Sequence, residues 1–84
     1  MNWVSVDSRA FAAVAYRQGK RRLYVRFHGG KIYRYSDFPR HQYDELLAAE
    51  SKGTYFAEYI RGKFLYEEVG DKRLRPHLVY SSGK

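Results

Sequence analysis

The stretch Leu23-Tyr24-Val25-Arg26-Phe27-His28-Gly29-Gly30-Lys31-Ile32-Tyr33-Arg34-Tyr35 decides the fold. Two alternating runs flank Gly29-Gly30. A glycine pair between such runs marks a β-hairpin, because glycine accepts the positive φ that a tight turn requires. A two-residue turn sets His28 opposite Lys31, Phe27 opposite Ile32, Arg26 opposite Tyr33, Val25 opposite Arg34 and Tyr24 opposite Tyr35. Side chains alternate between faces with a period of two. One face then carries Leu23, Val25, Phe27 and Ile32, with Arg34 as its polar member. The other carries Tyr24, Arg26, His28, Lys31, Tyr33 and Tyr35. This second face is cationic and aromatic at once, a composition that suits phosphates and stacked bases. It is equally what a tyrosine-rich second core would look like, with rings packed under helices and only the hydroxyls wet.

Working outward, Trp3 to Val6 alternates as a short strand, broken at Asp7-Ser8. Phe11 to Tyr16 reads as a second strand, although its alanines leave a helix open. The polar segment Arg17-Gln18-Gly19-Lys20-Arg21 suits a hairpin loop into a strand over Arg22 to His28, and Lys31 to Tyr35 is the fourth strand. Ser36-Asp37-Phe38-Pro39 closes the sheet and opens a helix, with proline in its first turn. Asp44 and Glu45 are expected at its positive end. Tyr43, Leu46 and Leu47 form its buried stripe. Ser51 reads as the cap of a second helix and Gly53 as a hinge between the two. In that helix Tyr55, Phe56, Tyr59 and Ile60 recur at helical spacing, and Gly62 ends it. Phe64 to Val69 reads as a final edge strand. The expected fold is α+β: a three- to four-stranded antiparallel meander, two short helices on one face, and a short terminal strand. Residues 1–70 form one domain, and 71–84 a basic tail expected to be flexible, in which Leu78, Val79 and Tyr80 could dock.

Eighty-four residues are enough for one core only. Nine tyrosines and five phenylalanines must supply much of it, and aromatic rings bury large areas. The chain has no cysteine, which removes disulfides, thiolate metal sites and cysteine nucleophiles and fits a reducing compartment. No stretch approaches the roughly 18 apolar residues of a membrane span, and the first residues do not read as a signal peptide. A cytoplasmic protein with no membrane partner is expected. The net charge of +7 is unevenly placed. Residues 1–40 hold nine Lys/Arg against two acids, residues 41–70 three against six, and residues 71–84 four against one. A basic sheet and tail beside an acidic helical part would steer an anionic partner towards one side.

With these segments laid out, the chain resembles the KTSC family of small domains. The resemblance runs from Val4 to Val69. It rests on Val14-Ala15-Tyr16, the strand Leu23, Val25, Phe27, and the segment Gly30, Tyr33, Tyr35. It continues through the proline-led helix Pro39, Tyr43, Leu46, Leu47 and the signature Ser51, Gly53, Tyr55, Phe56, Ile60. Domains of this family occur alone in bacteria and phages and at the C-terminus of some lysyl-tRNA synthetases. The resemblance brings no established activity, and that fusion is what implies RNA as a partner. Ala57 stands where the family usually has asparagine, so a shared polar role there does not carry over.

The residues point to a non-catalytic module binding RNA or another polyanion. Tyr24, Arg26, Lys31, Tyr33 and Tyr35 would form the platform, and Arg17, Lys20, Arg21 and Arg22 a mobile phosphate clamp on the loop. Lys72, Arg73 and Arg75 would add affinity without specificity. The alternative is an adaptor, of phage or prophage origin, using the same face on an acidic protein. His28, His41 and His77 lack metal-ligand spacing, and no metal or cofactor is expected. Ser51-Lys52-Gly53 lacks the spacing of a P-loop, though a backbone nest for one phosphate stays open. Asp7, Ser8 and a histidine have no nucleophile elbow around them. Glu67 and Glu68 would point to opposite faces of a strand rather than act as an acid/base pair.

Overall fold

The computed structural model describes residues 2–71. Five strands, β1 (Val4–Ser5), β2 (Phe11–Arg17), β3 (Arg22–Phe27), β4 (Lys31–Tyr35) and β5 (Tyr66–Asp71), form one sheet in chain order, every pair antiparallel. Two helices, α1 (Arg40–Ala48) and α2 (Lys52–Tyr59), lie between β4 and β5 in the chain. The α+β expectation holds, with the terminal strand completing the sheet beside β4. The alanine-rich β2 is a strand because β1 and β3 pair with it on both sides, which outweighs the helix propensity of alanine.

The hairpin between β3 and β4 turns through three residues rather than two. The Gly30 N–H donates to the Phe27 carbonyl at 2.9 Å, and Gly30 itself adopts φ 107°. A turn followed by one positive-φ glycine is the three-residue hairpin loop, and it moves the register by one. Val25 therefore faces Tyr33, Leu23 faces Tyr35, Tyr24 faces Arg34 and Arg26 faces Ile32. A one-residue slip sends every side chain of a strand to the other face. The expected pairing of Arg26 with Tyr33 and of Tyr24 with Tyr35 is corrected accordingly. Tyr33 and Tyr35 join Leu23 and Val25, while Ile32 and Arg34 join Tyr24 and Arg26.

The helices cover the first of these faces. Phe11, Val14, Leu23, Val25 and Tyr35 pack with Phe38, Tyr43, Leu46, Phe56 and Ile60 in one buried cluster. Tyr43 and Leu46 are three residues apart and Phe56 and Ile60 four, so each pair lies on one side of its helical segment. The Phe56 ring lies 5.5 Å from Phe11, 5.7 Å from Tyr35 and 5.9 Å from Phe27 between centroids, at tilted or edge-on angles. Such aromatic pairs add about 0.5–1.5 kcal/mol each beyond their buried area. A bulge between Phe11 and Ala13 lets both Phe11 and Val14 reach this cluster.

Several local expectations change in detail. Pro39 is the N-cap of α1 rather than a residue of its first turn. Asp44 and Glu45 sit mid-helix, where Asp44 accepts from Arg40 at 3.1 Å and Glu45 accepts from the Tyr55 hydroxyl at 2.6 Å. Ser51 caps α2 as expected, accepting from the Thr54 N–H at 3.3 Å. Gly53 is no hinge: it lies inside α2, where a Cβ would sit 3.5 Å from Ser8 Oγ and 3.7 Å from Ala10 Cβ. The helix itself ends at Tyr59, and Gly62, at φ 75°, closes the turn that follows. The expected docking of Leu78, Val79 and Tyr80, and the tail cations Lys72, Arg73 and Arg75, lie outside the described residues.

Because a side chain at Gly30 would meet left-handed backbone, Gly30→Ala should cost about 1–2 kcal/mol of stability in urea unfolding. Gly29→Ala, where φ is not positive and a Cβ meets no atom within 4 Å, should change it by less than about 0.5 kcal/mol. Equal midpoints for the two variants would remove Gly30 as the residue that sets the register.

Candidate functional site

The sheet has one face that no helix covers, and the register places four arginines on it. Arg17 and Arg22 face one another across β2 and β3, Arg26 lies further along β3, and Arg34 faces Tyr24 from β4. Ala13 and Ala15 form the floor of this face, and Tyr24 lies at its centre with only 7% of its surface exposed. Tyr24 thus offers little ring surface for stacking, since it is 7% exposed in the middle of the sheet. Trp3 adds an aromatic ring, with the Arg26 guanidinium 5.2 Å from its centre. Arg34 pairs with Glu67 of β5, and its Nε is buried with no hydrogen-bond partner among the described residues. Arg17, Arg22 and Arg26 have no carboxylate partner among the described residues.

At one end of this face the segment from Arg17 to Arg22 is held by hydrogen bonds to the segment that leads into α1. Gln18–Lys20 makes a turn of 3-10 helix, and the Arg21 N–H donates to the Gln18 carbonyl at 3.1 Å. The Arg21 carbonyl accepts from Phe38 N–H at 2.8 Å, and Gln18 Oε1 accepts from Arg40 at 2.8 Å. The side chains of Arg17, Lys20 and Arg21 nevertheless stand exposed.

Lys31, Tyr33 and Tyr35 belong to the opposite, helix-bearing side, which corrects the single platform expected from the sequence. Tyr35 is core, 4% exposed. Tyr33 is half-buried at the margin of the core cluster, its ring 5.2 Å from that of Tyr66 and nearly parallel at 11°. Phe27 meets Tyr33 edge-on at 5.3 Å. Two adjoining hollows of about 390 and 320 Å³ share Phe27 and Tyr33 as walls. Gly29 and Lys31 complete the first, and Tyr35, Phe56, Arg61, Gly62 and Tyr66 the second. Arg61 stands 5.7 Å over the Phe56 ring, and Lys31 lies 3.7 Å from Glu68. Sequence reading overlooked Arg34, Arg61 and Tyr66. A three-residue turn ending at Gly30 is the signal that would have moved Arg34 to the cationic face.

The remaining candidates are occupied by structural contacts. Ser8 Oγ accepts from the Ala10 N–H at 3.1 Å, and His28 Nε2 meets the Ser8 carbonyl rather than its hydroxyl. The N-terminus of α2 satisfies itself through Ser51, while Lys52 Nζ donates to the Ala49 carbonyl at 3.0 Å. Glu67 and Glu68 engage Arg34 and Lys31 separately. Among the described residues no three His, Asp or Glu side chains gather as a metal site, and no helix is long and apolar enough to cross a membrane.

Comparison with known proteins gives the family. The KTSC domain pattern matches residues 7–64, and the chain belongs to the KTSC domain family. A protein of Tsukamurella paurometabola is 37% identical over 59 residues, covering 70% of this chain and 88% of that one. A lysine--tRNA ligase of Trichormus variabilis is 39% identical over 54 residues, which are 64% of this chain but 10% of the ligase. The crystal structure of a KTSC domain protein from Yersinia pestis superposes with a TM-score of 0.79 at 29% identity, covering 82% of this chain and 97% of that one.

The tyrosine cluster has a measurable alkaline signature. Burial, with Tyr66 and Tyr33 alongside, pushes the Tyr35 hydroxyl well above the ordinary tyrosine range. Burial and the hydrogen bond to Glu45 push Tyr55 up to about 12. Both shifts favour the neutral hydroxyl in the folded chain. Their contribution is complete below the unfolded value of about 10 and is lost as pH rises through the folded values. The melting temperature should therefore fall progressively above about pH 10, and Tyr35→Phe should flatten that fall. An unchanged alkaline slope in Tyr35→Phe would show that this hydroxyl ionises freely in the fold.

Proposed function

We propose that this KTSC domain is a non-catalytic nucleic-acid-binding module that holds RNA by its phosphate backbone on the helix-free face of the sheet. The observation that carries the reading is the position of Arg17, Arg22 and Arg26 on a face free of helices and without acidic partners among the described residues. Lys20 and Arg21 extend the same charge at the end of the sheet, while the segment 41–70, which holds both most of α1 and all of α2, is net acidic. Guanidinium groups bind phosphate oxygens through two parallel hydrogen bonds and are less strongly hydrated than ammonium groups. RNA rather than another polyanion is favoured because lysine--tRNA ligases carry a matching segment, and their name puts RNA beside the domain in those proteins. The tyrosines contribute differently from the first expectation: Tyr24 is a buried spacer between arginines, and Tyr35 holds the core.

Three or four phosphate contacts would give a log affinity that falls with log salt at a slope of about −2 to −3 for a single strand. Fluorescence anisotropy with single-stranded RNA, duplex RNA and heparin at two salt concentrations reads this directly. Arg22→Gln with Arg26→Gln should reduce the slope by about 1.4 while leaving the melting temperature close to that of the parent. Binding that disappears at about 150 mM salt, beside tight and specific capture of an acidic protein, would replace the RNA reading with the adaptor one.

A further inference from the structure

The aromatic hollows on the other side of the sheet have no part in phosphate binding at the arginine face. We infer that they form a subsite for one unpaired base of the bound strand, stacked against the Tyr33–Tyr66 pair with its phosphate on Arg61. This inference rests on the RNA reading and deepens it from backbone attachment to recognition of single-stranded character.

Ring geometry, charge and access support it together. Tyr33 and Tyr66 are stacked at 11°, so a base would extend this stack on an outer ring face, and Tyr66 is 55% exposed. Phe27 stands edge-on to Tyr33 and closes one side. Each hollow falls in the size range of small-ligand sites. Arg61 has no carboxylate partner among the described residues, so a phosphate would satisfy it where an uncharged peptide would not. The route between the two faces crosses the β3–β4 turn, whose own residues carry no acid, and meets Glu68 only where it pairs with Lys31. Arg26 and Phe27 are successive residues on opposite sides of β3, and beyond them the turn His28-Gly29-Gly30 forms the end of the sheet over which a strand could cross. A strand held at Arg26 passes over this turn, beside Lys31, into the hollow. Around β5 it would meet Glu67 and Glu68 instead. Gly29, on that route and lining the hollow, has open space where a Cβ would stand.

The test compares a short single-stranded RNA carrying one 2-aminopurine with the same length of abasic ribose-phosphate chain, both with the whole chain as prepared. The parent should bind the base-containing strand about tenfold more tightly, within the range for one base on an aromatic ring, and quench the probe. Tyr66→Ala should erase both the preference and the quenching without changing abasic affinity, and Tyr66→Phe should restore them. Gly29→Glu, which adds charge and bulk on the route with no positive φ to strain, should lower base-containing affinity while its melting temperature stays near that of the parent. Equal affinity for the two strands in the parent would overturn the base subsite and leave the arginine-face reading standing. Failure of the parent to bind either strand even at low salt would remove that reading itself. Quenching that persists in Tyr66→Ala, or a proline-rich peptide that binds the hollow and requires Tyr66 while RNA does not, would also overturn it.

Discussion

Gly30 carries the constraint on which the two-sidedness of this domain depends. Its φ of 107° lets the chain reverse in three residues, and the count of residues in that reversal decides which way β4 presents its side chains. With three, Tyr35 enters the core beside Leu23 and touches the Phe56 ring, and α2 has an aromatic surface to rest on. With two, Ile32 and Arg34 would face the helices, and a guanidinium would be pressed into an apolar cluster at a cost of several kcal/mol. The hydrophobic pattern of β4 alone does not choose, because Lys-Ile-Tyr-Arg-Tyr has an aromatic set and an isoleucine-arginine set. The turn and the aromatic core choose together.

The consequence is a sheet whose faces do different work. Towards the helices it is aromatic, with Phe11, Phe27 and Tyr35 each in ring contact with Phe56. Away from them it is small and cationic, alanines below and arginines above. Small side chains at Ala13 and Ala15 suit that arrangement, since long arginine stems need apolar surface to lie along if their charges are to remain wet. Arg34 shows the cost of crowding: it is tied to Glu67 yet keeps one buried donor without a partner among the described residues.

Most of the fold was legible in the sequence because its signals are local. Gly29-Gly30 marked a hairpin, Ser51 a helix start, and the spacing of Tyr43, Leu46, Phe56 and Ile60 the buried helical stripe. The site was less legible because it depends on one integer, the turn length. That integer moved Tyr33, Tyr35 and Lys31 away from Arg26 and brought Arg34 to it. Arg61 and Tyr66 escaped notice for another reason: they lie about thirty residues from Tyr33 in sequence, Tyr66 reaching it because β5 returns alongside β4 and Arg61 because the turn after α2 sets it over Phe56. No local pattern carries such a contact. The tied state of the loop at Arg21 was likewise invisible, since its partner Phe38 is distant in the chain.

Trp3 is also an optical element of the fold. It is the single tryptophan of the chain and stands against Arg26, on the arginine face. The hollows opposite are lined by phenylalanine and tyrosine without tryptophan. Indole emission is therefore a colour tag for one side of the sheet only. Light absorbed at the red edge, where tyrosine is transparent, reports the surroundings of Arg26, and the opposite face stays dark to it. The fold has in this way separated its two surfaces spectroscopically as well as chemically.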